Sequence, residues 1–154
     1  MNKWLKPSLL VLSMATLASS TGAALAREPK IYTGFFSSLG AGGYDVVAYF
    51  TQGRAVEGKA EYAIAYDGAT WRFASAEDLA LFKTHPAAYL PQYGGYCAWA
   101  VSQDHTAAGD PKVWRIVNGK LYLNYDTDVQ AQWSQDIPKY ITDGDRNWPS
   151  VLDK

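Results

Sequence analysis

Residues 62–86, YAIAYDGATWRFASAEDLALFKTHP, decide the fold. Tyr62, Ile64 and Tyr66 alternate with small or polar partners, Asp67-Gly68 follows, and Trp71 and Phe73 alternate on the far side. An Asp-Gly step between two alternating runs is a strong short-range signal for a two-stranded hairpin. Ser75 then stands where a helix N-cap belongs, with Glu77 and Asp78 in the first turn, where the helix dipole favours negative charge. Leu79, Phe82 and Leu81 supply an apolar face, and Pro86 ends the helix because it cannot continue the hydrogen-bond ladder.

The same reading extends downstream. Pro91 to Gly95 is a turn-rich link into the run Tyr96 to Val101, and Ser102 to Pro111 is a polar loop. Val113, Trp114, Ile116 and Val117 precede Asn118-Gly119, and Leu121, Tyr122, Leu123 and Tyr125 follow it. Asn-Gly suits a two-residue hairpin because both turn positions need positive φ. Asp126 or Thr127 can cap a last helix through Val129 and Trp133, with Ile137 and Tyr140 near or beyond its end. Upstream, Val46 to Phe50 is an apolar run that fits either a helical turn or a buried strand. Residues 27–42 carry Gly34, Gly40 and Gly42 without periodicity and read as a flexible lead-in. The expected class is α+β: a small antiparallel sheet from two β-hairpins with short helices packed on it. The surroundings of the two hairpins differ in sequence, so no internal repeat is expected.

The first 26 residues read as a secretory signal peptide. Lys3 and Lys6 precede an apolar stretch from Leu9 to Ala18, and Ala24-Leu25-Ala26 forms a small-x-small cleavage site before Arg27. The apolar run is too short for a mature membrane span, which needs about 20 apolar residues. The mature chain is therefore expected to be soluble and periplasmic or secreted, with one domain over residues 43–150. Removing Lys3 and Lys6 from the 14 basic residues leaves 12 against 15 acidic ones. That balance, with no run of like charge, argues against nucleic acid or an anionic membrane surface as a partner. Cys97 is the only cysteine, so no internal disulfide can form and stability must come from packing. Both methionines, Met1 and Met14, precede the expected cleavage site. The five tryptophans after it read mainly as core.

The quoted stretch, carried on to Tyr89, resembles the YHS domain, with its strand, Gly turn, aromatic-x-Phe strand, Ser, short helix with Phe, Pro and Tyr. GYDVVAYF at 43–50, PQYGGYCAWA at 91–100, GDPKVWRIVNGKLYLNYDTDVQAQW at 109–133 and NWP at 147–149 are similar to the exported subfamily. The resemblance covers most of residues 43–149 and implies a YHS-like fold and a link to metal handling, copper included. It departs at one place. Metal-associated members resemble small zinc-finger-like units with cysteines ahead of the hairpin and after its aromatic strand. Here Ala74 stands at the latter place and no cysteine precedes it. A closed zinc site needs four donors. The mature chain offers Cys97, His85 and His105, so such a site would need carboxylates as well.

These three residues are the candidate metal ligands. A thiolate selects soft metals such as Cu(I), and either His105 or His85 would complete a two-coordinate site. Otherwise Cys97 is a small buried apolar residue, His105 a solvated loop residue, and His85 a helix-end residue complementing the dipole. No P-loop, dinucleotide fingerprint, metalloprotease helix or nucleophile elbow occurs, so a non-catalytic protein is expected. The alternative is a small-ligand- or partner-binding module with an aromatic pocket from Tyr49, Trp71, Tyr96, Trp99 and Tyr122, and no metal.

Overall fold

The computed structural model describes residues 26–154, so the expected signal peptide lies almost wholly outside the described residues. Strands β1 (Lys59–Tyr66) and β2 (Ala69–Phe73) form the first hairpin. Asp67 and Gly68 take positive φ at its turn (50° and 83°), as the Asp-Gly step predicts. Ala69, Trp71 and Phe73 alternate inward along β2. Helix α2 (Ala76–Thr84) then starts at Ser75, whose hydroxyl accepts the Asp78 N–H at 3.1 Å. It drives Phe82 into contact with Phe73, Tyr66 and Trp71, with ring centroids 5.0, 5.6 and 6.0 Å away. Pro86 opens a further single turn, α3 (Pro86–Tyr89).

The second hairpin, β3 (Asp110–Val117) and β4 (Lys120–Asn124), turns at Asn118 and Gly119 with φ of 50° and 73°. Asp126 caps α5 (Thr127–Trp133) by accepting the Val129 N–H at 2.8 Å. Trp133 is fully buried against Tyr122, centroid to centroid 5.4 Å. Ile137 and Tyr140 lie beyond the end of α5, on a separate helix. Asp136 caps that helix, α6 (Ile137–Asn147), with Pro138 in its first turn, where a missing N–H leaves nothing unpaired. Asn147 at its end donates its side-chain amide to Val101 O at 2.9 Å, tying α6 to α4 (Ala98–Ser102).

The run Val46 to Phe50 is helical: α1 (Ala48–Thr51) begins where Asp45 Oδ1 accepts the N–H groups of Val47 and Ala48. The class is thus α+β. The two hairpins do not pair with each other; each is its own two-stranded antiparallel sheet. They meet through side chains instead, where Tyr49 of α1 packs with Leu121 and Leu123 of β4 and donates its hydroxyl to Pro111 O at 2.7 Å.

The surroundings of the hairpins, expected to differ, match closely. A 3-10 turn precedes each, Gly40–Gly43 and Gln92–Gly95, with left-handed residues at Ala41 and Gly42 and at Tyr93 and Gly94. A short helix follows each turn, then strands of 8 and 5 residues with the same register break, at Lys59/Ala63 and Asp110/Trp114. A capped helix then brings one large ring inward, Phe82 or Trp133. The chain is one module built twice, at an offset of 51 to 52 residues.

The lead-in is tied down rather than loose. Glu28 N–H donates to Leu152 O, Tyr32 N–H to Gly94 O and the Tyr96 hydroxyl to Pro29 O, and Ile31 is buried in the first module's core. Phe35 and Phe36 are its fully exposed large apolar residues. At the other end Val151 and Leu152 are buried, so the packed unit extends beyond residue 150. No helix among the described residues is long and apolar enough to cross a membrane.

Candidate functional site

The repeat gives the site its geometry. In the first module Asp45 sits, fully buried, between the 3-10 turn and α1. Its N–H donates to Val56 O, its Oδ1 accepts from Val47 and Ala48 at 2.9 and 3.2 Å, and its Oδ2 accepts from Ala74 at 2.8 Å. Three backbone N–H groups thus form a socket for one carboxylate. Asp78 of α2 is buried beside it; burial first, then interaction with Asp45, pushes the Asp78 pKa up to about 6.

Cys97 occupies the same position in the second module. Its N–H donates to Ala107 O at 2.9 Å, the counterpart of the Asp45 bond to Val56. The N–H groups of Ala100, Tyr125 and Trp99 act on its sulfur and favour the thiolate. These are the counterparts of Ala48, Ala74 and Val47 at the same offset. Burial outweighs them and pushes the thiol pKa up, with Asp126 adding in the same direction. Cys97 is 0% exposed, and Sγ–H donates to Asn124 Oδ1 at 3.7 Å; the same oxygen accepts the Trp99 N–H at 3.3 Å. Asn124 is itself fully buried, and its Nδ2 has no hydrogen-bond partner among the described residues.

The second socket lacks a lid. Val129 stands where the first module has Asp78. An apolar pocket of about 220 Å³ lies there, lined by Cys97, Trp99, Ala100, His105, Ala107, Tyr125 and Val129. The His105 ring sits edge-on to Trp99 with centroids 6.4 Å apart, and the His105 backbone N–H donates to Ala100 O at 3.2 Å, fixing the loop against α4.

Of the three candidate ligands, Cys97 and His105 share this pocket. His85 does not line it: it is exposed and ends α2 in the first module, its N–H donating to Leu81 O. Among the described residues no three His, Cys, Asp or Glu side chains converge as a metal-binding group. The five-aromatic pocket does not form. Tyr49, Trp71, Tyr96 and Tyr122 are buried in three separate clusters, and Trp99 alone of the five lines the Cys97 pocket. Sequence reading missed Asp45, Asp78 and Asn124. The signal was a charged residue inside the buried run Asp45-Val46-Val47-Ala48, and the recurrence of Gly-Gly-Tyr at 42–44 and 94–96.

Comparison of the chain with family models, with characterised proteins and with solved structures finds no match.

Proposed function

We propose that this is an exported, non-catalytic, YHS-like protein whose Cys97 pocket takes up a soft metal ion, most plausibly Cu(I), in metal homeostasis. One observation carries the reading: the single thiol and one of the two imidazoles line the same pocket. Two soft donors suit two-coordinate Cu(I) and are too few for a closed zinc cage. His85, on the other module's surface, has no part in it.

Binding must displace the thiol proton, so affinity falls as the pH is lowered. The test is anaerobic Cu(I) titration against a competing chelator. Cys97→Ala is expected to abolish binding, His105→Ala to weaken it at least tenfold, and His85→Ala to leave it unchanged. Binding by Cys97→Ala at the wild-type level would overturn the proposal. A second reading rests on the walls: Trp99, Ala100, Ala107, Tyr125 and Val129 are apolar, as a small hydrophobic ligand would need. An apolar dye displaced by filling the pocket with Ala107→Leu, with no copper bound by wild type, would favour it.

A further inference from the structure

The turn that leads out of the N-terminal segment leaves two large rings bare. Phe35 and Phe36 stand side by side with exposures of 99% and 105%. Their turn is held at both ends: the Tyr32 N–H donates to Gly94 O at 2.9 Å, and the Thr70 N–H donates to Ser38 O at 2.7 Å. Gly34 supplies a φ of 78°, and Ser37 Oγ accepts the Leu39 N–H at 3.0 Å. The rings thus sit on a fixed base, so covering them costs little ordering of the backbone. A groove of about 300 Å³ lies beside Phe35, walled by Pro29, Tyr32 and Gly34, with Glu28 and Thr33 completing its lining. The Tyr32 wall is braced by Tyr96, ring centroids 5.3 Å apart. A cavity of about 150 Å³ holds a benzene ring, so the groove has room for a phenyl side chain.

We propose that this patch is a self-docking surface: two copies of the chain pair across a two-fold axis, with Phe36 of each seated in the groove beside Phe35 of the other. Two observations select a second copy as the occupant. The protruding ring and the groove belong to one patch, Phe36 being the next residue after a groove wall. A two-fold axis sets a patch against itself, so each ring meets a groove and the contact closes at two chains. The area is also sufficient. Burying an aromatic ring takes about 150–250 Å² out of water, so the Phe pairs of two chains supply about 600–1,000 Å². The surfaces they cover lose a similar area, which brings the total to the ~1,200–2,000 Å² of a specific interface. Glu28 and Thr33 give the apolar centre a polar edge, as such interfaces have. A lipid surface fits less well, because the neighbouring cations that would assist it are taken. Lys30 pairs with Asp67 at 2.7 Å and Arg27 with Asp153 at 3.0 Å, while Glu28 brings negative charge to the groove.

Neither Cys97 nor a metal enters this contact, so the test uses the metal-free mature chain. Sedimentation velocity follows it from about 1 to 100 µM, a range that covers homodimers of moderate affinity. The expected result is a reversible equilibrium between monomer and dimer that stops at two chains. Phe36→Ser is expected to raise the dimer dissociation constant about a hundredfold or more, because each dimer loses two buried rings. Phe35→Ser, which removes a groove wall, is expected to raise it about tenfold or more. Both rings are fully exposed on their own chain, so both variants keep the wild-type far-UV circular dichroism. A wild type that stays monomeric at about 100 µM overturns the proposal. So does assembly that grows past two chains, or a dimer that neither substitution weakens. Monomeric wild type that binds phosphatidylcholine vesicles, with binding lost in Phe36→Ser, would also overturn it and give the patch to a lipid surface.

Discussion

Raising the pH from 5 to 8 is expected to destabilise the folded protein through one buried pair, Asp45 and Asp78. Asp45 is fully buried and Asp78 is 7% exposed, so neither can shed its charge interaction into water. Burial, then the hydrogen bond and charge of Asp45, raise the Asp78 pKa from its ordinary 3.8 to about 6, with Ser75 opposing. A carboxyl whose pKa is raised in the folded state binds its proton more tightly there than in the unfolded chain. Its stabilising contribution is therefore whole below about pH 4 and is lost as the pH rises through 6. At 1.36 kcal/mol per pH unit the ceiling is about 3 kcal/mol. Between pH 5 and 8 the loss is about 1.4 kcal/mol, or about 5 °C of melting temperature for a domain of this size. Asp78→Asn keeps an uncharged donor facing Asp45 and removes the titration. The quantity to measure is the difference in melting temperature between wild type and Asp78→Asn across this range, since other titrating groups cancel in it. The variant should be the more stable at pH 8, with the gap closing towards pH 4. A gap independent of pH, or a variant less stable at pH 8, would refute the acid-pair reasoning.

Gly94→Ala should lower stability by 2 kcal/mol or more, read from denaturant unfolding, because φ at Gly94 is 62° and a Cβ there would overlap the Lys30 carbonyl. Phe82→Ala and Trp133→Ala, at equivalent core positions of the two modules, should each cost about 3–5 kcal/mol by the same measurement. A strong chelator should leave the melting transition unchanged, since no metal-binding group of three His, Cys, Asp or Glu side chains converges among the described residues. Protein from the native host should begin at or near Arg27 by intact mass and fractionate outside the cytoplasm.

The local elements were legible because each carries its own chemistry. Asp67-Gly68 and Asn118-Gly119 declare their turns through positive φ, and Ser75 and Asp126 declare their helices through side chains that accept the third N–H onward. What periodicity could not resolve was decided by tertiary partners. Val46 to Phe50 is helical because Asp45 caps it, and the lead-in is ordered by bonds to Leu152 and Gly94, residues far along the chain. The break between α5 and α6 is marked by Asp136 and Pro138, a cap and a first-turn proline.

The site was half legible for a related reason. Cys97 stands out by being the only thiol, and His105 by ligand type, but nothing in their spacing distinguishes His105 from His85. The distinction comes from the duplication, which places His85 on the first module and His105 on the second. The duplication itself was masked where the modules diverge most: Asp45 against Cys97, Phe73 against Asn124, Asp78 against Val129, Phe82 against Trp133. The first of these pairs changes the group in the socket, the second adds a buried amide beside it, and the third removes the lid. The backbone that forms each socket is retained. Two modules with one architecture thus end in different states, one closed by an acid pair and one with an apolar pocket beside a buried thiol.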